Sequence, residues 1–305
     1  MKEIPIIDFG EFLNEPDEHR KKIASKNLIN AFKTYGFVYL KNFNISQDLI
    51  SQLFAYNKQF FDKPIEYKNS VKKSFETFCG YDAFLDEKLS ESSKGDLKES
   101  FMFNENGTPW PHDWKDFKEF SLLFHSKCKQ LAFKILESIA NGLDLDRNVF
   151  KSKYTNSECT VMRLLHYPPI PEQIAEKQVR CGEHSDYGSV SILFQDSVGG
   201  LEIKTRDDEW IPAPFIENTV LINVGQAMET WTNGCLTATP HRVVNPVDER
   251  MFKSRYSNAF FCDPDLDTQI ICIDEKFLKE NQSISNDKNE SVLTYRQFFS
   301  PFFSP

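Results

Sequence analysis

The spacing of apolar residues changes about halfway along the chain. In the first half the apolar positions recur near helical spacing and predict helices, over residues 18–35, 47–62 and 114–142. Gly36 and the pair Asn141-Gly142 are placed to end two of these helices, because glycine readily adopts the left-handed conformation of a helix C-terminus. Short apolar runs at residues 4–9 and 37–40 predict strands on either side of the first helix.

After residue 157 short apolar runs alternate with turn residues. The runs predict strands, at residues 159–165, 190–195, 201–204, 220–224, 258–262 and 269–273. Turn signals such as Gly199-Gly200 and Asn233-Gly234 separate them. Many short strands with close turns are typical of a sandwich or a barrel. The polar stretch 63–112 between the halves is expected to be irregular, either a solvated loop or a mobile cover over a site.

Chain length, net charge and cysteine usage limit the kinds of domain, partner and compartment that we expect for this chain. A chain of 305 residues can form one large β-rich domain or two smaller ones. The net charge of -9 argues against nucleic acid or an anionic membrane as a general partner, and leaves a small-molecule substrate open. No secretory signal or membrane span is expected. The seven cysteines form no C-x-x-C pair, so we expect no structural zinc site or disulfide framework and a cytoplasmic location.

A possible metal site comes from His184, Asp186 and His241, in the segments CGEHSDYGSV and ATPHRVVNP. Two imidazoles and one carboxylate form the facial ligand set of non-heme Fe(II). His184 and Asp186 share one face if they lie at a strand end, since residues i and i+2 point the same way. The H-x-D pair alone is weak evidence, because surface loops often contain such pairs, and the choice of His241 as third ligand is made among 6 histidines. His125 lies in a charged helical segment and is expected to be exposed.

A second pattern at i and i+2 supports the first. Arg255 and Ser257 lie in KSRYS, and a guanidinium with a hydroxyl is suited to holding a carboxylate. Tyr167, in RLLHYPP, can add a phenol hydrogen bond to the same ligand. The alternative for Arg255 is a structural ion pair with one of the 45 acidic residues.

The chain resembles the isopenicillin-N-synthase-like family of Fe(II)- and 2-oxoglutarate-dependent oxygenases. The resemblance rests on the order and spacing of sequence blocks, which include IPIIDF (4–9), YGFVYLKNF (35–43), KESFMF (98–103), MRLLHYPP (162–169), GEHSDYGSVSILFQD (182–196), VLINVGQAMETWTNG (220–234), PHRVVNP (240–246) and RYSNAFF (255–261). It implies a mainly β protein with α-helices, whose core is a double-stranded β-helix (jelly roll) flanked by N-terminal and central helices. The implied organisation is a single domain over residues 1–305, described by its regions: a mostly helical part (1–150), the jelly-roll core with the metal site (157–275) and a C-terminal tail packing on the core (276–305).

The resemblance also implies roles for the residues above. Fe(II) would bind His184, Asp186 and His241, while the co-substrate 2-oxoglutarate would bind Arg255, Ser257 and Tyr167, and O₂ would complete the reaction. Its expected outcome is hydroxylation, desaturation or cyclisation of a small organic molecule, with release of succinate and CO₂. The family often has Asn two residues before the tyrosine, and Leu165 stands there in this chain.

Several alternatives remain at this stage. Some members of the family keep the R-x-S pair without using 2-oxoglutarate, as isopenicillin N synthase does. A zinc hydrolase would need a general base, and the adjacent acid Glu183 should point away from the metal. A binding protein with a vestigial site is the third alternative. Residues that contact the substrate are expected among a set of aromatic side chains: Phe101, Phe103, Tyr187 and Phe261.

Overall fold

Two β-sheets organise the part of the chain that the structure describes. It is a computed structural model, and the described residues are 2–73, 78–87, 95–156, 159–171, 173–174, 178–280 and 292–299. The strands are β1 (Ile6–Asp8), β2 (Phe37–Lys41), β3 (Gly80–Asp82), β4 (Glu99–Phe103), β5 (Thr160–Tyr167), β6 (Cys181–His184), β7 (Val190–Gln195), β8 (Leu201–Lys204), β9 (Trp210–Pro212), β10 (Val220–Val224), β11 (His241–Val243) and β12 (Arg255–Cys262). The helices are α1 (Gly10–Leu13), α2 (Glu18–Tyr35), α3 (Gln47–Phe61), α4 (Ile65–Asn69), α5 (Lys115–Gly142), α6 (Gln226–Trp231), α7 (Glu275–Glu280) and α8 (Tyr295–Phe298).

The larger sheet has eight strands in the order β1-β2-β10-β7-β12-β5-β4-β3, and the smaller one has four in the order β6-β11-β8-β9. β1 runs parallel to β2, and the other pairs in both sheets are antiparallel. Strands from the first half of the chain therefore extend the sheet formed by the second half. This architecture of two sheets with helices around them is the jelly roll implied by the resemblance.

Successive side chains of a strand point to opposite faces of the larger sheet, and both faces are buried. In β2, Phe37 and Tyr39 face a core that they share with side chains of the smaller sheet, such as Ile203. Val38 and Leu40 face the opposite core, which contains the apolar sides of α2, α3 and α5. The cavity described below lies between the sheets, where inward-facing side chains of both meet.

The predicted helices are confirmed within a residue or two, and Gly36 ends α2 with a left-handed φ of 67°. Gly142 ends α5, but it does not adopt the left-handed conformation that was expected of it. A Cβ there would lie 2.5 Å from Cγ1 of Ile29 and 2.6 Å from the carbonyl oxygen of Ser25. The glycine thus permits close packing of α5 on α2.

Some expectations were wrong. Residues 269–273 form no strand, and Gln269 makes one isolated bridge to Thr294. The stretch 63–112, expected to be irregular, contains α4, β3 and β4. β4 is buried despite its polar flanks because it pairs with β5. His125 is fully buried instead of exposed, since its face of α5 packs on the sheet and its Nε2 lies 2.9 Å from the carbonyl oxygen of Thr160.

Two predicted segments lie partly outside the described residues. The suggested cover includes residues 74–77 and 88–94, and the C-terminal tail includes residues 281–291 and 300–305. Within the described part of the tail, Tyr295 is buried and begins α8. No helix in the described ranges combines the length and apolar character needed to cross a bilayer.

Candidate active site

Three predicted ligand side chains converge at one end of the smaller sheet. His184 ends β6, Asp186 follows it, and His241 begins β11 directly opposite His184 in the register of the two strands. Oδ1 of Asp186 lies 3.9 Å from Nε2 of His184 and 3.7 Å from Nε2 of His241. The three ligand atoms lie within 4.8 Å of one another, a spacing at which one metal ion can contact all of them.

Neighbouring backbone carbonyls orient both imidazoles. Nδ1 of His184 lies 2.9 Å from the carbonyl oxygen of Gly182, and Nδ1 of His241 lies 3.1 Å from that of Thr239. A carbonyl oxygen can only accept, so each Nδ1 carries the proton and each Nε2 offers a lone pair. Burial, followed by the neighbouring His184, lowers the pKa of His241 to about 4. That ring is therefore neutral near pH 7, which is the form that binds a metal.

The Asp186 carboxylate is held through one oxygen. Its Oδ2 accepts hydrogen bonds from Oγ of Ser191 at 2.5 Å and from Nδ2 of Asn223 at 2.7 Å. Burial by itself would raise the pKa of Asp186, but the two imidazoles and these hydrogen bonds hold it below its usual value. The carboxylate is therefore ionised and presents Oδ1 to the imidazoles. These outer contacts were not identified from the sequence.

The loop after Asp186 is fixed against the start of α6. The backbone N–H of Gln226 donates to the carbonyl oxygen of Asp186 at 2.8 Å, and that of Ala227 donates to Tyr187 at 3.0 Å. Gly225 makes this approach possible, because a Cβ there would lie 2.3 Å from the carbonyl oxygen of Gly188. The ligand geometry is thus set by rigid elements on both sides of the loop.

A buried guanidinium lies further along the same cavity. Arg255 is 1% exposed; it donates from Nη1 to Oγ of Ser257 and from Nη2 to Oε1 of Gln195, both at 3.2 Å. Its Nε has no hydrogen-bond partner, and no carboxylate among the described residues lies within ion-pair distance. The structural ion pair considered above is therefore absent from the described chain. Tyr167 lies opposite Arg255 on β5, and the guanidinium carbon is 4.8 Å from the centre of its ring.

A second buried arginine near this position was missed from the sequence. Arg180 is 0% exposed; its Nη2 donates to the carbonyl oxygen of Lys253, while Nε and Nη1 have no partner among the described residues. Burial, and then the positive charge of Arg255, lower its pKa to about 10. A lone arginine before a short strand follows no periodic pattern, so the sequence carried no signal for it.

The metal-ligand set and Arg255 line one cavity of about 280 Å³ between the sheets. Tyr187 and Phe261 also line it, as expected for residues near a substrate. Phe101 and Phe103 do not. Both are fully buried on the helical side of the sheet and pack against Trp110, which corrects their expected role. Their strand, β4, places them on the face opposite the cavity.

The donor set fits the metal implied by the resemblance. Two imidazole nitrogens and one carboxylate oxygen converge from one side, which leaves the cavity side for further ligands. The zinc hydrolase alternative requires a base beside the metal. Glu183 instead points toward solvent, where its Oε1 lies 3.4 Å from Nζ of Lys204.

Comparison with known proteins agrees with this chemistry. The model of the 2OG-Fe(II) oxygenase superfamily matches residues 157–264, and the model described as non-haem dioxygenase in morphine synthesis N-terminal matches residues 4–122. The 2-oxoglutarate-dependent dioxygenase htyE of Aspergillus rugulosus is 31% identical, over 96% of this chain and 97% of the relative. The chain belongs to the 2OG-Fe(II) oxygenase superfamily. This oxygenase is a non-heme Fe(II) dioxygenase that uses 2-oxoglutarate and O₂ as co-substrates.

Two further relatives extend the match over nearly the whole oxygenase chain. The proline hydroxylase buaE of Petromyces alliaceus is 31% identical, over 97% of this chain and 98% of the relative. The crystal structure of a full-length Neurospora crassa protein in complex with alpha-KG (2-oxoglutarate) has a TM-score of 0.86 and 34% identity, and the match covers 99% of this chain and 96% of that one. The same Neurospora crassa protein has also been solved with alpha-KG and thymine, at a TM-score of 0.83 and 33% identity over 98% and 96% of the two chains. These matches confirm the predicted fold and enzyme class.

Proposed function

We propose that His184, Asp186 and His241 bind the catalytic Fe(II) of this oxygenase, and that a small organic molecule is oxidised in the cavity beside them. The observation that carries this proposal is the orientation of the three side chains. Both Nε2 atoms and Oδ1 of Asp186 converge on one point, while every other polar atom of the three groups already has a protein partner. Fe(II) bound there would supply O₂ activation coupled to oxidative decarboxylation of 2-oxoglutarate.

The proposed co-substrate site is formed by Arg255, Ser257 and Tyr167. Arg255 carries a buried positive charge with no acidic partner among the described residues, so an anion from outside the chain would be strongly favoured there. Burial raises the pKa of Tyr167, which keeps the phenol protonated and able to donate. These groups would bind the carboxylate of 2-oxoglutarate that lies far from the metal.

The chain's own contribution to the reaction is orientation and exclusion of water. Rigid strands and the α6 contact hold the ligand set, and Arg255 fixes the co-substrate from the opposite end of the cavity. Holding reactants in one arrangement removes a large entropic part of the barrier. The outcome is hydroxylation, desaturation or cyclisation of the substrate.

The relatives support a small polar substrate. One is named a proline hydroxylase, and the Neurospora crassa protein was crystallised with thymine. We extend the proposal to a single domain over residues 1–305 with the three regions given above, because β1 to β4 belong to the same sheet as β5, β7, β10 and β12. Seven free cysteines support a cytoplasmic location, and the acidic charge supports the absence of a nucleic-acid partner.

An anaerobic titration tests the proposal. Adding 2-oxoglutarate to the Fe(II) protein should produce a visible metal-to-ligand charge-transfer band, and air should then yield succinate. His241→Ala should abolish both signals, whereas His19→Ala, which changes an exposed histidine of α2, should leave them unchanged. Retained turnover in His241→Ala would refute the ligand assignment, and absence of band and succinate in the wild type would refute the co-substrate site.

A further inference from the structure

The cavity contains a carboxyl group that neither the metal site nor the co-substrate site uses. Asp263 directly follows β12 and lines the same cavity as the metal-ligand set. Its Oδ1 lies against the loop that carries Asp186, since a Cβ placed on Gly188 would be 2.0 Å from it. Asp263 thus lies beside the metal-binding loop.

Strand geometry separates Asp263 from the co-substrate anchor. Arg255 begins β12 and Asp263 follows its end, eight positions along, so their Cα atoms are roughly 26 Å apart in an extended strand. Ser191, whose hydroxyl bonds to Asp186, pairs with Phe261 near the Asp263 end of β12. The metal-ligand set therefore lies between the two charges, nearer to Asp263, and this end of the cavity is where the substrate would lie.

Away from the metal ligands, the lysines and Arg163 of the cavity wall pair with acidic side chains of the chain itself. Nζ of Lys98 lies 2.7 Å from Asp96 and 3.1 Å from Glu87, and Arg163 binds Glu87 at 2.5 Å. Lys73 pairs with Asp82 at 3.0 Å in the same wall. Apart from the metal ligand Asp186, Arg255 and Asp263 are the charged groups among the described cavity residues that have no partner of opposite charge within ion-pair distance.

The surroundings of Asp263 leave its carboxyl short of donors. Tyr295 is the side chain whose hydroxyl approaches it in the described part of the chain, and that hydroxyl makes no hydrogen bond of normal geometry. Burial and then the charge of Asp186 raise the pKa of Asp263 to about 7. Asp265, two residues later, shows the contrast, because its Oδ2 accepts backbone N–H groups of Thr155 and Asn156 at 2.5 and 3.1 Å. A half-buried acid whose oxygens lack a full set of donors is costly unless a ligand supplies one.

Aromatic rings complete this end of the cavity. Tyr187 and Phe299 both line it, with ring centroids 5.2 Å apart and planes at 79°. Phe261 lines it from β12. Aromatic faces bind flat rings or cations, and the carboxyl beside them accepts hydrogen from nitrogen. Charge, burial and ring placement therefore favour the same kind of ligand group.

Building on the proposed function, we infer that Asp263 determines substrate specificity by accepting a hydrogen bond from an N–H group of the primary substrate, which lies against Tyr187 and Phe299. The N–H group can belong to an ammonium ion or to a neutral nitrogen heterocycle. An ammonium ion and a neutral heterocycle both donate an N–H hydrogen bond, but only the ammonium ion is charged. Two substitutions of Asp263 therefore distinguish these ligands. Asp263→Asn keeps an acceptor without charge, and Asp263→Leu removes the acceptor.

The experiment is calorimetric binding to the anaerobic protein with Fe(II) and 2-oxoglutarate. One probe pair is thymine and 1,3-dimethylthymine, and the other is benzylammonium and benzyl methyl ether; the second member of each pair lacks the donor. In at least one pair, the compound with the N–H donor should bind the wild-type protein about tenfold to a hundredfold more tightly than the compound without it. Asp263→Leu should abolish that preference. Asp263→Asn should strongly reduce it for the ammonium probe, which loses the opposite charge, and largely retain it for the heterocycle.

Asp265→Asn is the matched control, and it should keep the donor preference whatever it does to stability. Substitution of Asp263 removes a costly buried charge, so the variants should fold. Preference for the donor that persists in Asp263→Leu overturns the inference, as does failure of both donor probes to bind wild type at millimolar concentration. The charge-transfer band, recorded first in each sample, separates these results from failure of the proposed function, which would show as absence of the band.

Discussion

Replacing Arg255 should weaken 2-oxoglutarate binding without destabilising the protein. The prediction follows from the surroundings of its guanidinium, which is 1% exposed, donates to Ser257 and Gln195, and meets no carboxylate within ion-pair distance among the described residues. In the protein without co-substrate, the buried charge therefore has no direct ion-pair partner among the described residues, and Asp196 acts on it only at longer range. We consider Arg255→Gln, which removes the charge, and Arg255→Lys, which keeps it without the planar pair of donors.

The magnitude follows from the bonds that the co-substrate would make. Hydrogen bonds to charged groups contribute about 1.5 to 3 kcal/mol each, so losing two costs about 3 to 6 kcal/mol, or roughly a hundredfold to ten-thousandfold in Kd. Arg255→Lys loses about one such bond, so its Kd should rise roughly tenfold to a hundredfold. An arginine in a structural ion pair behaves differently, because breaking a buried pair destabilises a protein by about 3 to 5 kcal/mol.

The assay has two parts. Anaerobic titration of the charge-transfer band gives the Kd for 2-oxoglutarate, and urea unfolding without co-substrate gives the free energy of unfolding. The Arg255→Gln variant should show the large rise in Kd with an unchanged or higher free energy of unfolding. A loss of about 3 kcal/mol or more in stability, with Kd within threefold of wild type, would refute the argument and make Arg255 a structural residue.

Three further predictions concern other parts of the molecule. Asn223→Leu removes a donor to Oδ2 of Asp186, so the Kd for Fe(II), followed by metal titration, should rise about tenfold to a hundredfold, and an unchanged Kd would exclude that role. Phe101→Ala should lower the free energy of unfolding by about 3 to 5 kcal/mol and leave the KM for 2-oxoglutarate within twofold, because the ring lies on the helical side of the sheet; a selective KM effect would contradict this placement. Burial lowers the pKa of His125 below its ordinary 6.5, so the unfolded chain binds a proton that the folded chain does not, and stability should fall as pH drops below about 6.5. Urea midpoints between pH 7 and 5 should therefore decline more steeply in wild type than in His125→Gln, and parallel slopes would argue against a neutral buried His125.

Some features of the fold were predictable because they depend on neighbours in sequence. Helical periodicity defined α2, α3 and α5, and glycine at position 36 fixed the end of α2. The i, i+2 spacing placed His184 with Asp186 and Arg255 with Ser257. Local geometry alone decides such relations, so they need no knowledge of the rest of the chain.

Burial was harder to predict where distant partners cover a segment. β4 is polar at its edges and is buried because β5 pairs with it, and His125 is buried because one face of a long helix packs on the sheet. Residues 269–273 have the composition of a strand, but among the described residues they have no pairing partner beyond the single bridge from Gln269 to Thr294. Pairing and packing override local preference in each case.

The sequence by itself determined the enzyme class, through ligand types, their spacing and the order of the blocks around them. The tertiary structure alone decided which carbonyls fix the imidazoles, that Arg255 lacks an acidic partner among the described residues, and that Asp263 shares its cavity. The physical reason is that desolvation and hydrogen bonding act over a few ångströms in space between residues far apart in the chain. A charge without a partner is a property of its surroundings, and only folding brings those surroundings together.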